Sequence, residues 1–263
     1  MEILYSIKER TDLLLVFGIF NLVLGVFLII LSFTYPVIFE GTNAWYKPTK
    51  FALSLGILSV TVGWFSSYLS PSTGILVAKW LFLVTLAFEI IYITWQAARG
   101  QASHFNLSSP LYSFLYSLMA IAATLATLAV AYIGLQFFTQ SNIDLPNHYL
   151  WAIRFGFILF VIFSLQGFIM GAKLSHFMGE PTNAFKIPFL GWSLSTGDLR
   201  VAHFVGMHAL QVLPLISWFL LRNTTWTVVI AVLYTGLAIF VLVTALNGQP
   251  LVKVSEKKME TLD

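Results

Sequence analysis

The sequence of 263 residues is 58% hydrophobic and only 10% charged, whereas an ordinary soluble domain has about 25% charged residues. That balance excludes a water-soluble globule, because too few polar side chains are present to cover its surface. The formal net charge of +3 is too small to indicate a nucleic-acid partner, and the absence of cysteine excludes disulfides, thiolate metal sites and covalently attached c-type haem.

The apolar residues form long uninterrupted runs, which predict a polytopic membrane protein with helices of about 20 residues each. Strands of a membrane barrel would instead alternate polar and apolar residues. Residues 1–12 are polar, and the first apolar run is too long for a signal-peptide core, so we interpret it as a retained membrane anchor. In chain order the predicted spans are 13–33, 48–69, 74–97, 111–138, 148–172, 198–221 and 224–246.

These spans predict an all-α membrane protein with a polar N-terminal arm at 1–12, a single domain of about seven transmembrane helices at 13–246 and a polar C-terminal tail at 247–263. An odd number of spans places the N- and C-termini on opposite faces of the membrane. Alternate connectors and the tail form one face, which holds most of the cations: Lys47, Lys50, Arg99, Lys173, Lys186, Arg200, Lys253, Lys257 and Lys258. The positive-inside rule therefore predicts a cytoplasmic C-terminus.

Polar residues inside the spans are the candidate functional residues, because an ionisable group at membrane depth is costly unless it faces a bundle interior or water. The third span carries polar residues at intervals of three and four, namely Glu89, Tyr92, Gln96 and Arg99. This spacing places them on one helical face, with Glu89 roughly 15 Å of helix rise from Arg99 and so near mid-depth. Lys50 lies near the start of the second span, toward the same membrane face.

The fifth and sixth spans bring further polar residues toward that face. They are Gln166 and Lys173 on the fifth span, and Arg200, His203, His208 and Gln211 on the sixth. Four spans would then direct polar side chains inward from one side, which predicts a one-sided polar vestibule ending near Glu89, Gln166 and His208. The predicted ligand-binding set consists of the six residues of the fifth and sixth spans together with Lys50, Glu89, Tyr92, Gln96 and Arg99.

Three residues of the spans also have structural interpretations. Glu89 would lock helices together if it were a member of an ion pair, since interhelical polar contacts are common in membranes. Asp198 is interpreted as a helix-start residue, because Ser195 and Asp198 match the spacing of a capping box and a carboxylate suits the positive end of a helix. Pro214 is expected to kink the sixth span.

The predicted vestibule has more cations than anions, and such a site favours an anionic or amphiphilic ligand. The leading hypothesis is a membrane protein that binds or transports a small ligand of this kind from the cytoplasmic side, surrounded by membrane lipids. Lys50, Arg99 and Arg200 would hold the charge of the ligand. Glu89 and His208 would act as a proton-coupled or locking pair, and they are the catalytic candidates for an enzyme.

Two alternatives remain open. In an intramembrane hydrolase, His104, His203 and His208 would ligate a metal such as zinc, with Glu89 as general acid or base. His203 and His208 are about 140° apart around a helix, so they would not grip one metal as a pair four residues apart does. In a redox protein, a b-type haem or a quinone would lie against His208. The sequence itself requires no cofactor and predicts no oligomeric state.

Three polar segments, Asn43–Phe51, Gln96–Asn106 and Gly197–Gln211, resemble those of an uncharacterised bacterial family of polytopic integral membrane proteins. The resemblance extends over most of the chain, from the second span through the sixth. It implies a bacterial origin, and with it a location in the cytoplasmic (inner) membrane. It implies no particular activity, cofactor or substrate.

Overall fold

A computed structural model describes residues 13–179 and 186–252 of the chain. Within these residues, seven helices are long and apolar enough to cross a membrane, and the named strands are two residues long. The prediction of an all-α integral membrane protein with about seven transmembrane helices is therefore confirmed. The predicted N-terminal arm at 1–12 and the predicted tail from residue 253 onward lie outside the described residues.

The chain folds into two compact units, Met1–Leu145 and Pro146–Asp263, which we call unit 1 and unit 2. Unit 1 contains α1 (Leu13–Thr34), an antiparallel hairpin of β1 (Ile38–Phe39) and β2 (Thr42–Asn43), α2 (Tyr46–Ser66), α3 (Thr73–Ala98) and α4 (Pro110–Thr139). Unit 2 contains α5 (Asn147–Leu165), α6 (Gly167–Lys173), an antiparallel pair of β3 (Phe177–Met178) and β4 (Gly197–Asp198), α7 (Leu199–Ile216) and α8 (Thr224–Leu246).

In unit 1, α1 and α2 pack closely through small residues that recur at heptad spacing. The buried residues of α1 are Leu14, Gly18, Asn21, Gly25, Leu28 and Ser32. A Cβ added to Gly56 of α2 would lie 2.7 Å from Leu22 Cδ2 and 3.0 Å from the carbonyl oxygen of Gly18. Glycine at these positions lets the two backbones approach, which is a common basis of helix association in membranes.

Local sequence signals explain where the helices of unit 1 begin. Ser72 and Ser109 precede α3 and α4, and each hydroxyl accepts a hydrogen bond from the backbone N–H three residues on, at 3.3 Å. α2 begins at Tyr46, so Pro48 lies in its first turn, where the missing N–H has no helical partner to lose. These helix starts set the depth at which the polar residues of α2 and α3 lie.

In unit 2, the sixth span departs from regular helix near its end. Pro214 lies inside α7, and Ser217–Leu221 form a wide π-helical turn just after it. Proline lacks an N–H to donate and its ring crowds the preceding turn, yet α7 remains α-helical through Pro214 to Ile216. The hydroxyl of buried Ser217 lies 2.9 Å from His148 Nδ1 and 3.0 Å from Thr227 Oγ1, so it ties this turn to α5 and α8.

α5 and α7 of unit 2 approach each other through glycines. A Cβ added to Gly206 of α7 would overlap the ring of Phe163 on α5. A Cβ added to Gly156 of α5 would lie 2.9 Å from Leu210 Cα on α7. Both Phe163 and Leu210 are buried at this contact. The close approach brings the side chain of His203, one turn before Gly206, within reach of the α5 backbone.

Candidate functional site

Glu89 lies on the buried face of α3 in unit 1, well before the end of the helix at Ala98. It is 4% exposed, and its Oε1 has no hydrogen-bond partner among the described residues. The ammonium group of Lys47, in the first turn of α2, interacts electrostatically with this carboxyl group. A buried acceptor without a partner is uncommon in native structures and indicates that a water, ion or ligand completes the site.

Tyr92 and Gln96 continue the buried polar face of α3 toward the end of the helix. Gln96 Nε2 donates to the Tyr92 hydroxyl at 3.3 Å and to the carbonyl oxygen of Ala102 at 3.0 Å. Gln96 is fully buried, and its Oε1 has no partner in the part of the chain that the structure describes. Glu89 and Gln96 therefore present, on one helical face, two acceptor atoms that no described residue pairs with.

Aromatic rings lie against this face, and we call five of them the aromatic cluster: Phe51, Phe88, Tyr92, His104 and Tyr116. Tyr92 stacks on Phe88 with ring centroids 6.2 Å apart, and Phe51 packs against the same group of side chains. The ring of His104 lies 5.8 Å from Phe51 and 6.5 Å from Tyr116. Unit 1 thus places unpaired acceptors next to an extended aromatic surface.

The cations of unit 1 near this site differ in their burial and in their contacts. Lys47 and Lys50 are half-buried and lie about one turn apart on α2. Arg99 is exposed, and its guanidinium lies 4.6 Å from the ring centroid of Trp95. It does not join the buried face of Glu89 and Gln96, because α3 ends at Ala98 and the backbone has left helical geometry at Arg99.

Arg200 of unit 2 is held by the chain itself. Its guanidinium donates to both carboxylate oxygens of Asp198, from Nε at 2.9 Å and from Nη2 at 2.6 Å, and also to the carbonyl oxygen of Gly191. Asp198 accepts the backbone N–H of Arg200 as well, and so it is the N-cap of α7. The helix-start interpretation of Asp198 agrees with this, although Asp198 is the cap itself and Ser195 lies before the helix. A bidentate pair of this kind presents little charge to a ligand.

The fifth span is interrupted at Gln166, between the end of α5 and the start of α6. Gln166 is 7% exposed, and neither Nε2 nor Oε1 has a hydrogen-bond partner within residues 13–179 and 186–252. Nearby, His203 donates from Nδ1 to the carbonyl oxygen of Phe163 at 2.7 Å. That carbonyl lies in the last turn of α5, where carbonyl groups lack helical N–H partners.

Three other predicted residues of unit 2 have separate surroundings. His208 donates from Nδ1 to the carbonyl oxygen of Phe204 at 2.8 Å, and its ring lies on that of Phe204 with centroids 3.9 Å apart. Gln211 is half-buried on α7, and Lys173 is exposed at the end of α6, where a cation suits the negative end of the helix. Glu89 belongs to unit 1 and His208 to unit 2, so their pairing and the four-span vestibule stay predictions.

The predicted metal ligands do not form a cluster in the described ranges, where no group of three or more His, Asp or Glu side chains could hold a metal ion. His104 Nδ1 lies 3.2 Å from the hydroxyl of Ser103. The Nδ1 atoms of His203 and His208 each bond to a backbone carbonyl. The hydrolase alternative therefore gains no support from this geometry.

Sequence reasoning placed Lys47 on the cation-rich face but left it out of the predicted ligand-binding set, because a lysine at the start of a span is usually an interfacial anchor. Its spacing of three residues from Lys50 was the available signal, since residues so spaced share a helical face. Phe51 and Tyr116 were also missed. Their contacts with His104 join different helices and a connector, which no local spacing encodes.

The seven apolar helices define the chain as a polytopic integral membrane protein. Both units contain buried polar groups that lack a partner within the described residues, among them Glu89 and Gln96 in unit 1 and Gln166 in unit 2. No protein-family model matches the chain, and neither a curated protein nor a solved structure is significantly similar to it.

Proposed function

We propose that the protein binds or transports a small anionic or amphiphilic ligand, which unit 1 holds at Glu89, Gln96 and the two lysines of α2. The observation that carries this proposal is Glu89 Oε1, a buried carboxyl oxygen without a hydrogen-bond partner among the described residues. In a membrane, such an unsatisfied polar group costs several kcal/mol, because no water is at hand. A ligand that supplies a donor removes this cost, and the difference contributes to its binding.

The surroundings of Glu89 support an amphiphile with an anionic head. Lys47 and Lys50 bring two positive charges to the start of α2, and positive charge near a membrane surface attracts anionic groups. The aromatic cluster offers apolar surface to a hydrocarbon chain or ring. A phosphate monoester in its singly protonated form carries an anionic oxygen, a hydroxyl donor and an apolar chain, and so satisfies all three features.

We further propose that the protein lies in the cytoplasmic membrane of a bacterium, with its C-terminus in the cytoplasm. The resemblance of its polar segments to a bacterial membrane family supports the first part. The excess of Lys and Arg in alternate connectors supports the second, since cytoplasmic loops carry such an excess.

Binding is tested by thermal unfolding of the purified protein in phosphatidylcholine nanodiscs that contain decyl phosphate. We expect decyl phosphate to raise the unfolding temperature, and decyltrimethylammonium at the same mole fraction to leave it unchanged. The Glu89→Gln substitution keeps an acceptor oxygen but removes the carboxyl charge, so it should weaken the apparent affinity for decyl phosphate by about tenfold. That factor corresponds to the difference between a hydrogen bond to a charged group and one to a neutral group.

The matched control is Glu40→Gln, the same chemical change at an exposed residue of the β1–β2 hairpin turn. It should respond to decyl phosphate as the unsubstituted protein does. Equal responses of both variants, or protection by the cationic amphiphile, would contradict the proposal. Failure of Glu89→Gln to fold would assign the carboxyl group a structural role instead. A Soret band or stoichiometric zinc in the purified protein would favour the haem or hydrolase alternative.

A further inference from the structure

The interruption of the fifth span in unit 2 holds a buried side chain whose two polar atoms both lack hydrogen-bond partners among the described residues. α5 ends at Leu165, and α6 begins at Gly167. The backbone remains bonded across the interruption, because Gln166 N–H donates to the Ile162 carbonyl and Ile169 N–H donates to the Gln166 carbonyl, both at 3.0 Å. The unpaired groups therefore belong to the Gln166 side chain.

A buried primary amide without partners is strongly unfavourable. Both Nε2 and Oε1 of Gln166 are buried and lack hydrogen-bond partners within the two described ranges. Transfer of an amide from water to a medium that cannot hydrogen-bond is costly, because its lost hydrogen bonds to water are not replaced. A leucine at this position would avoid that cost. The amide therefore indicates a partner other than the described residues.

The walls of this site are partly polar and partly apolar. A Cβ added to Gly167 would lie 3.4 Å from His203 Cε1 and 4.0 Å from Met170 Cε, so the imidazole ring lies directly against the interruption. Because His203 Nδ1 carries the proton given to the Phe163 carbonyl, Nε2 of the neutral ring is an acceptor. Phe168, next in sequence to Gly167, is 52% exposed, as expected for a side chain that faces lipid.

We propose that this interruption is a binding site for the carboxyl group of a fatty-acid-like amphiphile, independent of the site at Glu89. The unionised acid presents a donor and an acceptor side by side, which is the complement of a primary amide. Its carbonyl oxygen accepts from Gln166 Nε2, and its hydroxyl donates to Gln166 Oε1. An alcohol or an amine of the same chain length lacks this pair. The alkyl chain runs along Met170, which lies one turn beyond Gln166 on the same helical face.

The site is tested in phosphatidylcholine nanodiscs with a decanoic acid analogue that carries a diazirine on its chain. After irradiation, mass spectrometry of peptides should place the label within 163–173. Unlabelled decanoic acid should compete, and decanol at the same mole fraction should not. Gln166→Leu should weaken this competition by about tenfold to a hundredfold, which corresponds to the loss of two ordinary hydrogen bonds.

Stability without ligand separates a binding role from a structural one. The unfolding temperature of Gln166→Leu without decanoic acid should equal or exceed that of the unsubstituted protein, because an apolar side chain removes two unpaired atoms. The matched control is Gln136→Leu on α4, where the amide is exposed and donates to the Tyr132 carbonyl. It should leave the labelling unchanged. Gln166→Met serves in place of Gln166→Leu if the branched side chain prevents folding.

Three results would overturn the inference. The first is a lower unfolding temperature for both Gln166→Leu and Gln166→Met without ligand, which indicates an internal water. The second is labelling outside 163–173, and the third is competition by decanol equal to that by decanoic acid. Glu89→Gln should leave the label within 163–173, so failure of this site and failure of the proposed function are distinguishable.

Discussion

At the scale of single residues, some polar groups of this protein are paired with one another and others are buried without a partner among the described residues. Arg200 donates two short hydrogen bonds from its guanidinium to the two carboxylate oxygens of Asp198, and Asp198 Oδ1 also accepts the backbone N–H of Arg200 at the start of α7. Glu89 and Gln166 each keep at least one buried atom without a partner in the described chain. The first arrangement stabilises a helix start, whereas the second leaves hydrogen-bonding capacity that the described residues do not use.

The role of Asp198 as a structural cap can be tested by substitution. Asp198→Ala should lower the free energy of unfolding by roughly 2–4 kcal/mol, because it removes the cap of α7 and leaves the Arg200 guanidinium without its carboxylate. Unfolding by titration with sodium dodecyl sulfate, followed by tryptophan fluorescence, measures this change. Asp144→Ala, at an exposed aspartate, should stay within about 0.5 kcal/mol of the parent protein. Equal stability of the two variants would contradict the structural role.

At the scale of helices, close packing in both units depends on glycine. Gly18 and Gly56 bring α1 and α2 together in unit 1, and Gly156 and Gly206 do the same for α5 and α7 in unit 2. Lipid chains are as apolar as the helix surfaces, so burial of apolar area drives helix association only weakly. Close packing between the two helix surfaces therefore decides which helices associate. Close packing in unit 2 also holds the Phe163 carbonyl within reach of His203.

Glycines in different environments should therefore respond with opposite signs to the same substitution. Gly206→Ala puts a Cβ into the ring of Phe163 and should destabilise the protein by about 1–3 kcal/mol. Gly236→Ala, on α8, meets nothing within 4 Å and should stabilise it by up to about 1 kcal/mol, the difference in helix propensity. Thermal unfolding of both variants in the same nanodiscs gives the comparison. A neutral or stabilising Gly206→Ala would contradict the packing described for α5 and α7.

The helices were predictable from sequence because span length and apolar composition are local properties. The face shared by Glu89 and Gln96 was predictable for the same reason, since it follows from helical spacing alone. The surroundings of Arg99 and Arg200 were not predictable from helical spacing. One lies beyond the last turn of its helix, and the partners of the other include a carbonyl in the connector before α7. The interruption at Gln166 has only the adjacent Gly167 as a signal, and glycine within a span is common.

For the whole molecule, the orientation of the chain in the membrane decides from which side a ligand reaches each proposed site. Lys47 and Lys50 lie at the start of α2, and the connector at 99–109 follows α3. Antiparallel crossing by consecutive spans places these two segments on the same side. If that side is cytoplasmic, as the distribution of cations predicts, the site at Glu89 is approached from the cytoplasm.

The absence of cysteine from the sequence makes this orientation directly measurable, because any introduced cysteine is the single thiol of the chain. Ser108→Cys and Ser141→Cys place matched exposed thiols just outside the two ends of α4. In intact bacterial cells, a membrane-impermeant maleimide should label Ser141→Cys and spare Ser108→Cys. Permeabilisation should expose the second to the reagent. The opposite pattern would place the lysines of α2 on the outer side, and ligand would then reach Glu89 from outside the cell.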